Sequence, residues 1–142
     1  MNLSAVEPYA LHLLDEHVHS TSHVYPTLAA GVTVTGGAGA WGLGAYAEIV
    51  PVNTITERFD IHWMAIEGAS AEDVYEIVLY AGTTEIGRAR FAVTITAGLH
   101  PVMSPIVFQT PIVAANSQIQ AKVASSGGGA DTVTVSIHYH TY

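Results

Sequence analysis

The residues of this chain best suited to chemistry are its eight histidines, at positions 12, 17, 19, 23, 62, 100, 138 and 140. There is no cysteine, so a transition-metal site would have to be built from imidazole and carboxylate rather than thiolate. His138 and His140 stand two apart, hence on one face of an extended strand, a spacing that can hold a metal. No carboxylate follows them, so an exposed or interface strand face is the plainer expectation. His17, His19 and His23 straddle the end of a helix pattern. On a threefold axis His17 would form a ring of three imidazoles, a zinc-binding or pH-responsive arrangement.

The carboxylates are scattered, apart from the neighbours Asp15-Glu16 and Glu72-Asp73. Asp60 and Glu76 both fall on strand patterns and formally make a glycosidase-type pair. G-x-S-x-G, H-E-x-x-H and P-loop motifs are absent. No base stands identifiably beside a Ser or Thr. Gly37, Gly39 and Gly42 satisfy G-x-G-x-x-G after a short strand, with Glu57 and Asp60 roughly 20 residues on. A dinucleotide site would need a helix there to face the pyrophosphate. Gly42 and Gly44 weaken any helix, and β character resumes at Tyr46. A glycine loop around Trp41, lying against a neighbour, is the expectation instead. The chain therefore reads as a non-enzyme, with no catalytic residue, metal or cofactor assigned.

The elements that would carry these residues are strands. In 58–93, Phe59, Ile61, Trp63 and Ala65 alternate with Asp60, His62 and Met64, a period of two. Tyr75, Ile77 and Leu79 share one face of the next run; Val74, Val78 and Tyr80 share the other, with Glu76 among them. A strand apolar on both sides is usually covered on both sides, by a second sheet or another subunit. Further on, Ile86, Arg88 and Arg90 point one way, and Gly87, Ala89 and Phe91 the other. Shorter strands are expected at Gly31–Thr35, Tyr46–Val52, Ile106–Ile112 and Ser117–Ser125. A last strand spans Asp131–Tyr142, with Val133, Val135, Ile137 and Tyr139 on its inner face. About eight strands with turn signals between them predict an antiparallel β-sandwich of jelly-roll type over 28–142. An immunoglobulin-like arrangement is the runner-up.

Residues 1–27 differ. Pro8 suits a helix start, and a helix of about 11 residues would follow. Leu3, Val6, Ala10, Leu13 and His17 trace a coiled-coil-like seam. So short a helix is not stable alone in water and must dock on its own domain, on sister helices or on a foreign surface. The segment S-T-S-H-V-Y-P-T reads as an extended linker ending at Pro26.

Composition bounds the function. The chain has 142 residues, 49% hydrophobic but only 11% charged, against roughly 25% charged in an ordinary soluble protein. No run approaches the roughly 20 apolar residues of a membrane helix, so a permanent subunit interface is the natural place for the surplus. Four basic residues against 12 acidic ones give a net charge of −8, which argues against nucleic acid as a partner. The N-terminus carries no pattern of a secretory signal. Besides the arm seam, the expected contacts with other copies or with a partner protein are Trp41, Val74, Val78 and Tyr80.

Several stretches carry a likeness. They are V-Y-P-T-L-A-A-G-V-T-V-T-G-G at 24–37, F-D-I-H-W-M-A-I-E at 59–67, D-V-Y-E-I-V-L-Y at 73–80, E-I-G-R-A-R-F at 85–91, and the ending K-V-A-S-S-G-G-G-A-D-T-V-T-V-S-I-H-Y-H-T-Y. From Tyr25 to Tyr142 the chain resembles the small jelly-roll structural proteins of tailed-bacteriophage virions: cement (decoration) proteins and related fibre or spike domains. The resemblance implies a homotrimer on the outside of a capsid, made in the host cytoplasm, with the major capsid protein or another virion protein as partner. A receptor- or carbohydrate-binding domain of a tail appendage is the alternative. The group has no catalytic motif whose residue roles could be transferred.

Overall fold

The computed structural model describes residues 22–28, 30–94 and 105–142. The expected helix, with Leu3, Val6, Ala10, Leu13 and His17, lies outside the described residues. What is described is all-β, a sandwich of two antiparallel sheets. The strands are β1 (His23–Tyr25), β2 (Val32–Thr35), β3 (Ala47–Val50), β4 (Phe59–Ala69), β5 (Asp73–Ala81), β6 (Thr84–Val93), β7 (Ile106–Val107), β8 (Ile119–Ser125) and β9 (Thr132–Thr141). One sheet runs β1-β9-β4-β7, with β2 also pairing β9. The other runs β3-β8-β5-β6. β1 comes from the stretch read as a linker: it is extended, as expected, but it pairs with β9 through His23, Val24 and Tyr25.

The core lies between the sheets, where apolar side chains of both inner faces interdigitate. From the first sheet come Phe59, Ile61 and Met64 of β4 and Val133, Val135 and Ile137 of β9. From the second come Tyr75, Ile77 and Leu79 of β5 and Ile119, Ala121 and Val123 of β8. The faces expected for β5 and β9 are thus the faces found.

Two strict alternations fail, each at a bulge. On β4 the pairing with β9 runs Ile61↔Tyr139 and then Trp63↔His138. His62 is the extra residue, and a bulge of this kind reverses the side-chain pattern beyond it. Met64 therefore enters the core and Trp63 does not, opposite to the expected period. On the edge side of β4, the Ile61 amide donates to Thr110 Oγ1 at 2.9 Å, and Phe108 N–H donates to the His62 carbonyl at 2.8 Å. On β6 the pairing passes from Leu79↔Gly87 to Tyr80↔Glu85. Ile86 is the extra residue, and it packs on the core rather than beside Arg88 and Arg90.

The glycine-rich segment 36–44 is followed by strand β3, not by a helix, so the dinucleotide geometry is absent from it. Instead it packs on the loop after β8. Trp41 N–H donates to the Ser125 carbonyl, Gly129 N–H to Ala38, and Ala130 N–H to Gly37, at 2.8, 2.9 and 3.2 Å. At Gly44 a β-carbon would lie 1.9 Å from the Thr35 carbonyl oxygen, so only glycine fits that crossing between the sheets.

Candidate functional site

The outer face of the second sheet collects most of the chain's basic charge and several of its exposed rings. Of the four Lys and Arg residues, Arg88, Arg90 and Lys122 lie here. Register dictates this: Glu76 on β5 sits opposite Arg90 on β6, and Val78 sits opposite Arg88 on β6 and Lys122 on β8. The Glu76 carboxylate accepts from Arg88 at 2.5 Å and from Arg90 at 2.8 Å. Hydrogen bonding to Arg90, then to Arg88, holds its carboxyl below the ordinary glutamate value, against the opposing effect of burial. Arg88 also meets Glu85 through two bonds, at 3.1 and 2.9 Å. Arg90 in turn lies over the Trp41 ring, 4.4 Å from its centroid, and Lys122 lies 4.0 Å from that of Tyr46. Tyr46 meets Tyr80 edge-on, with centroids 5.0 Å apart. Burial pushes the Tyr80 hydroxyl above its ordinary value.

Four expected contact residues therefore come together: Trp41, Val74, Val78 and Tyr80 belong to this one face. They are not equally available. Trp41 and Val74 are 43% and 40% exposed, Tyr80 is half-buried, and Val78 is 0% exposed. The expectation that Val78 needs a second subunit to cover it is corrected, because its own chain covers it. The stems of long cross-strand neighbours can shield an apolar side chain while their charged ends stay in water. The sequence pattern flagged Val78 because alternation reports which face a residue occupies, not what its neighbours lay across it.

The histidines separate into different environments. His138, half of the pair whose spacing could hold a metal but to which none is assigned, is buried on the outer face of the first sheet and stacks on Trp63 at an interplanar angle of 16°. Burial lowers its pKa below the ordinary histidine value. His140 does not join it but meets His62, with Nδ1 and Nε2 3.0 Å apart. His62 Nε2 is also 2.9 Å from Asp60 Oδ1. Asp60, His62 and His140 thus converge, with their ligand atoms all within 4.8 Å of one another. The signal for this trio was split in the sequence between D-I-H at 60–62 and H-Y-H at 138–140, and only the β4–β9 register joins the halves. His23 stacks on Tyr139, with centroids 5.2 Å apart.

Asp60 and Glu76, the formal glycosidase pair, stand on the outer faces of opposite sheets and cannot flank one bond. The hollow lined by His23, Thr54, Glu57, Tyr139 and Thr141 holds about 170 Å³, below the roughly 300–1,000 Å³ of ordinary small-molecule pockets. No helix among the described residues is long and apolar enough to cross a membrane. No protein-family model, no curated protein and no solved structure matches this chain.

Proposed function

We propose that this chain is a structural protein of a bacteriophage particle, a homotrimer that binds the outside of the capsid and stabilises contacts between capsomers. The observation that carries the reading is the strand order. Sheets ordered β1-β9-β4-β7, with β2 also on β9, and β3-β8-β5-β6 are compatible with the two Greek keys of a jelly roll, the architecture the sequence resemblance implies. Fold does not fix function, so the surface must support it too. Trp41, Tyr46 and Val74 are large apolar groups left in water on one face, in a chain with only 11% charged residues. A second copy of this chain is the occupant that suits them, since low charge combined with exposed rings favours permanent over transient contact.

Sugar binding at a tail appendage would use these same rings for stacking. One face of the Trp41 ring already carries Arg90, and one face of Tyr46 carries Lys122, which leaves less aromatic surface for a glycan.

Light scattering on the full chain at micromolar concentration tests the assembly, and antibody labelling of particles in electron microscopy tests the location. The expected results are a mass near three times the 15.0 kDa chain and label over the capsid shell. A monomer, or label confined to the tail, overturns the reading.

A further inference from the structure

We propose that Asp60, His62 and His140 form a binding site for a divalent first-row transition-metal ion of the Zn²⁺ class. The proposal is independent of where the protein acts or whether it assembles. Three observations carry it.

The first is spacing. Ligands held at about 2.0–2.2 Å from one ion stand roughly 2.9 Å apart as octahedral neighbours and roughly 3.3 Å apart as tetrahedral ones. His62 Nε2 lies 2.9 Å from Asp60 Oδ1 and 3.0 Å from His140 Nδ1, already edge lengths of such a polyhedron. The second is an orphan. Asp60 Oδ1 is buried and makes no hydrogen bond, although His62 Nε2 is near it. A buried carboxylate oxygen without a donor is costly, and a cation between the three atoms would satisfy it. The third is support behind the ligands. The other Asp60 oxygen, Oδ2, accepts from the Tyr142 hydroxyl at 2.9 Å, an outer contact of the kind that fixes a ligating carboxylate.

The backbone explains the convergence. Asp60 and His140 are direct cross-strand partners, so their side chains leave the same face side by side. His62, two residues after Asp60 with the inward-facing Ile61 between them, falls on that face by ordinary alternation. Two imidazoles and one carboxylate select Zn²⁺ and its neighbours over Mg²⁺ or Ca²⁺, which prefer all-oxygen sets. His62 is 38% exposed at its side chain, so the remaining coordination positions open to solvent.

The test uses the full chain, stripped with a chelator and titrated with ZnCl₂ by calorimetry. His12, His17 and His19 offer other imidazoles, so the decisive readout is the equivalent lost on substitution. Wild type is expected to bind Zn²⁺, with one equivalent missing in His62→Gln, His140→Gln and Asp60→Asn and retained in His23→Ala. Tyr142→Phe keeps the equivalent but binds about tenfold more weakly. A readout that needs no variant guards against misfolding: Zn²⁺ should shift the imidazole NMR signals of His62 and His140. No zinc binding by wild type at roughly 100 μM, unmoved His62 and His140 signals, or full stoichiometry in the two histidine variants overturns the proposal.

Discussion

Trp63 of β4 stacks on His138 of β9, across the pair that forms the middle of the first sheet. The contact exists because the bulge at His62 turns the indole outward and leaves the core position to Met64. On that outer face the indole shields an imidazole whose Nε2 has no hydrogen-bond partner. Trp63→Ala removes the stack and uncovers the ring, and should cost about 2 kcal/mol, less than truncating a fully buried tryptophan. Trp63→Phe preserves a stacked ring and should cost under about 1 kcal/mol. Urea denaturation of the two variants checks the ranking; equal losses would show that the stack contributes nothing.

Glu76 makes stability depend on pH at the acid end. Its carboxyl is held below the ordinary glutamate value by hydrogen bonds from Arg90 and Arg88. Between the folded and unfolded values the unfolded chain binds more protons, so stability rises with pH there. The contribution is whole above about 4.5 and is lost as pH falls through the lower folded value. Glu76→Gln should remove about 1–2 kcal/mol at neutral pH, because both arginines are exposed enough to rehydrate. It should also flatten part of the acid limb of a melting-temperature profile. Part must remain, because Asp73 and Glu85 are lowered as well. A variant profile parallel to wild type at every pH would remove Glu76 from this role.

The sheets were legible in the sequence where alternation is strict. Tyr75, Ile77 and Leu79, and likewise Val133, Val135 and Ile137, sit inside as their spacing requires. Trp63, Met64 and Ile86 did not follow the pattern, because an inserted residue inverts a period of two and no residue type announces the insertion. The trio of Asp60, His62 and His140 was hidden for a related reason. Its members are neighbours only through a pairing of strands 78 residues apart, and no local pattern encodes that register. The glycine loop was the converse case: its lack of a helix was readable, but not its partner loop after β8.

If copies associate through the outer face of the second sheet, a charge placed there should separate them. Val74, near the start of β5, is 40% exposed on this face. Val74→Lys should shift the scattering mass toward the single chain, since an unpaired ammonium would be desolvated in the contact. Val107 on the opposite sheet is 74% exposed, so Val107→Lys is the control and should leave the mass unchanged. Loss of association in the Val107 variant alone would move the interface to the first sheet.

Two neighbouring glycines separate backbone strain from packing. Gly128 and Gly129 both have positive φ, 76° and 90°, so alanine at either is forced into a left-handed conformation costing about 1–2 kcal/mol. Around Gly129 a new β-carbon meets nothing within 4 Å, and strain is the whole expected cost. At Gly128 it would lie 2.7 Å from Ala40 N and 2.8 Å from the Ala38 carbonyl oxygen. Those atoms are backbone, so the two loops must part, and with them the bonds that seat Trp41. Gly128→Ala should therefore be the more damaging, by about 1–3 kcal/mol beyond Gly129→Ala. Hydrogen exchange locates the effect: the Trp41 and Ala130 amides, which donate to Ser125 and Gly37, should lose protection in the first variant and keep it in the second. Equal loss in both would mean that left-handed strain, rather than contact between the loops, holds this end of the sandwich together.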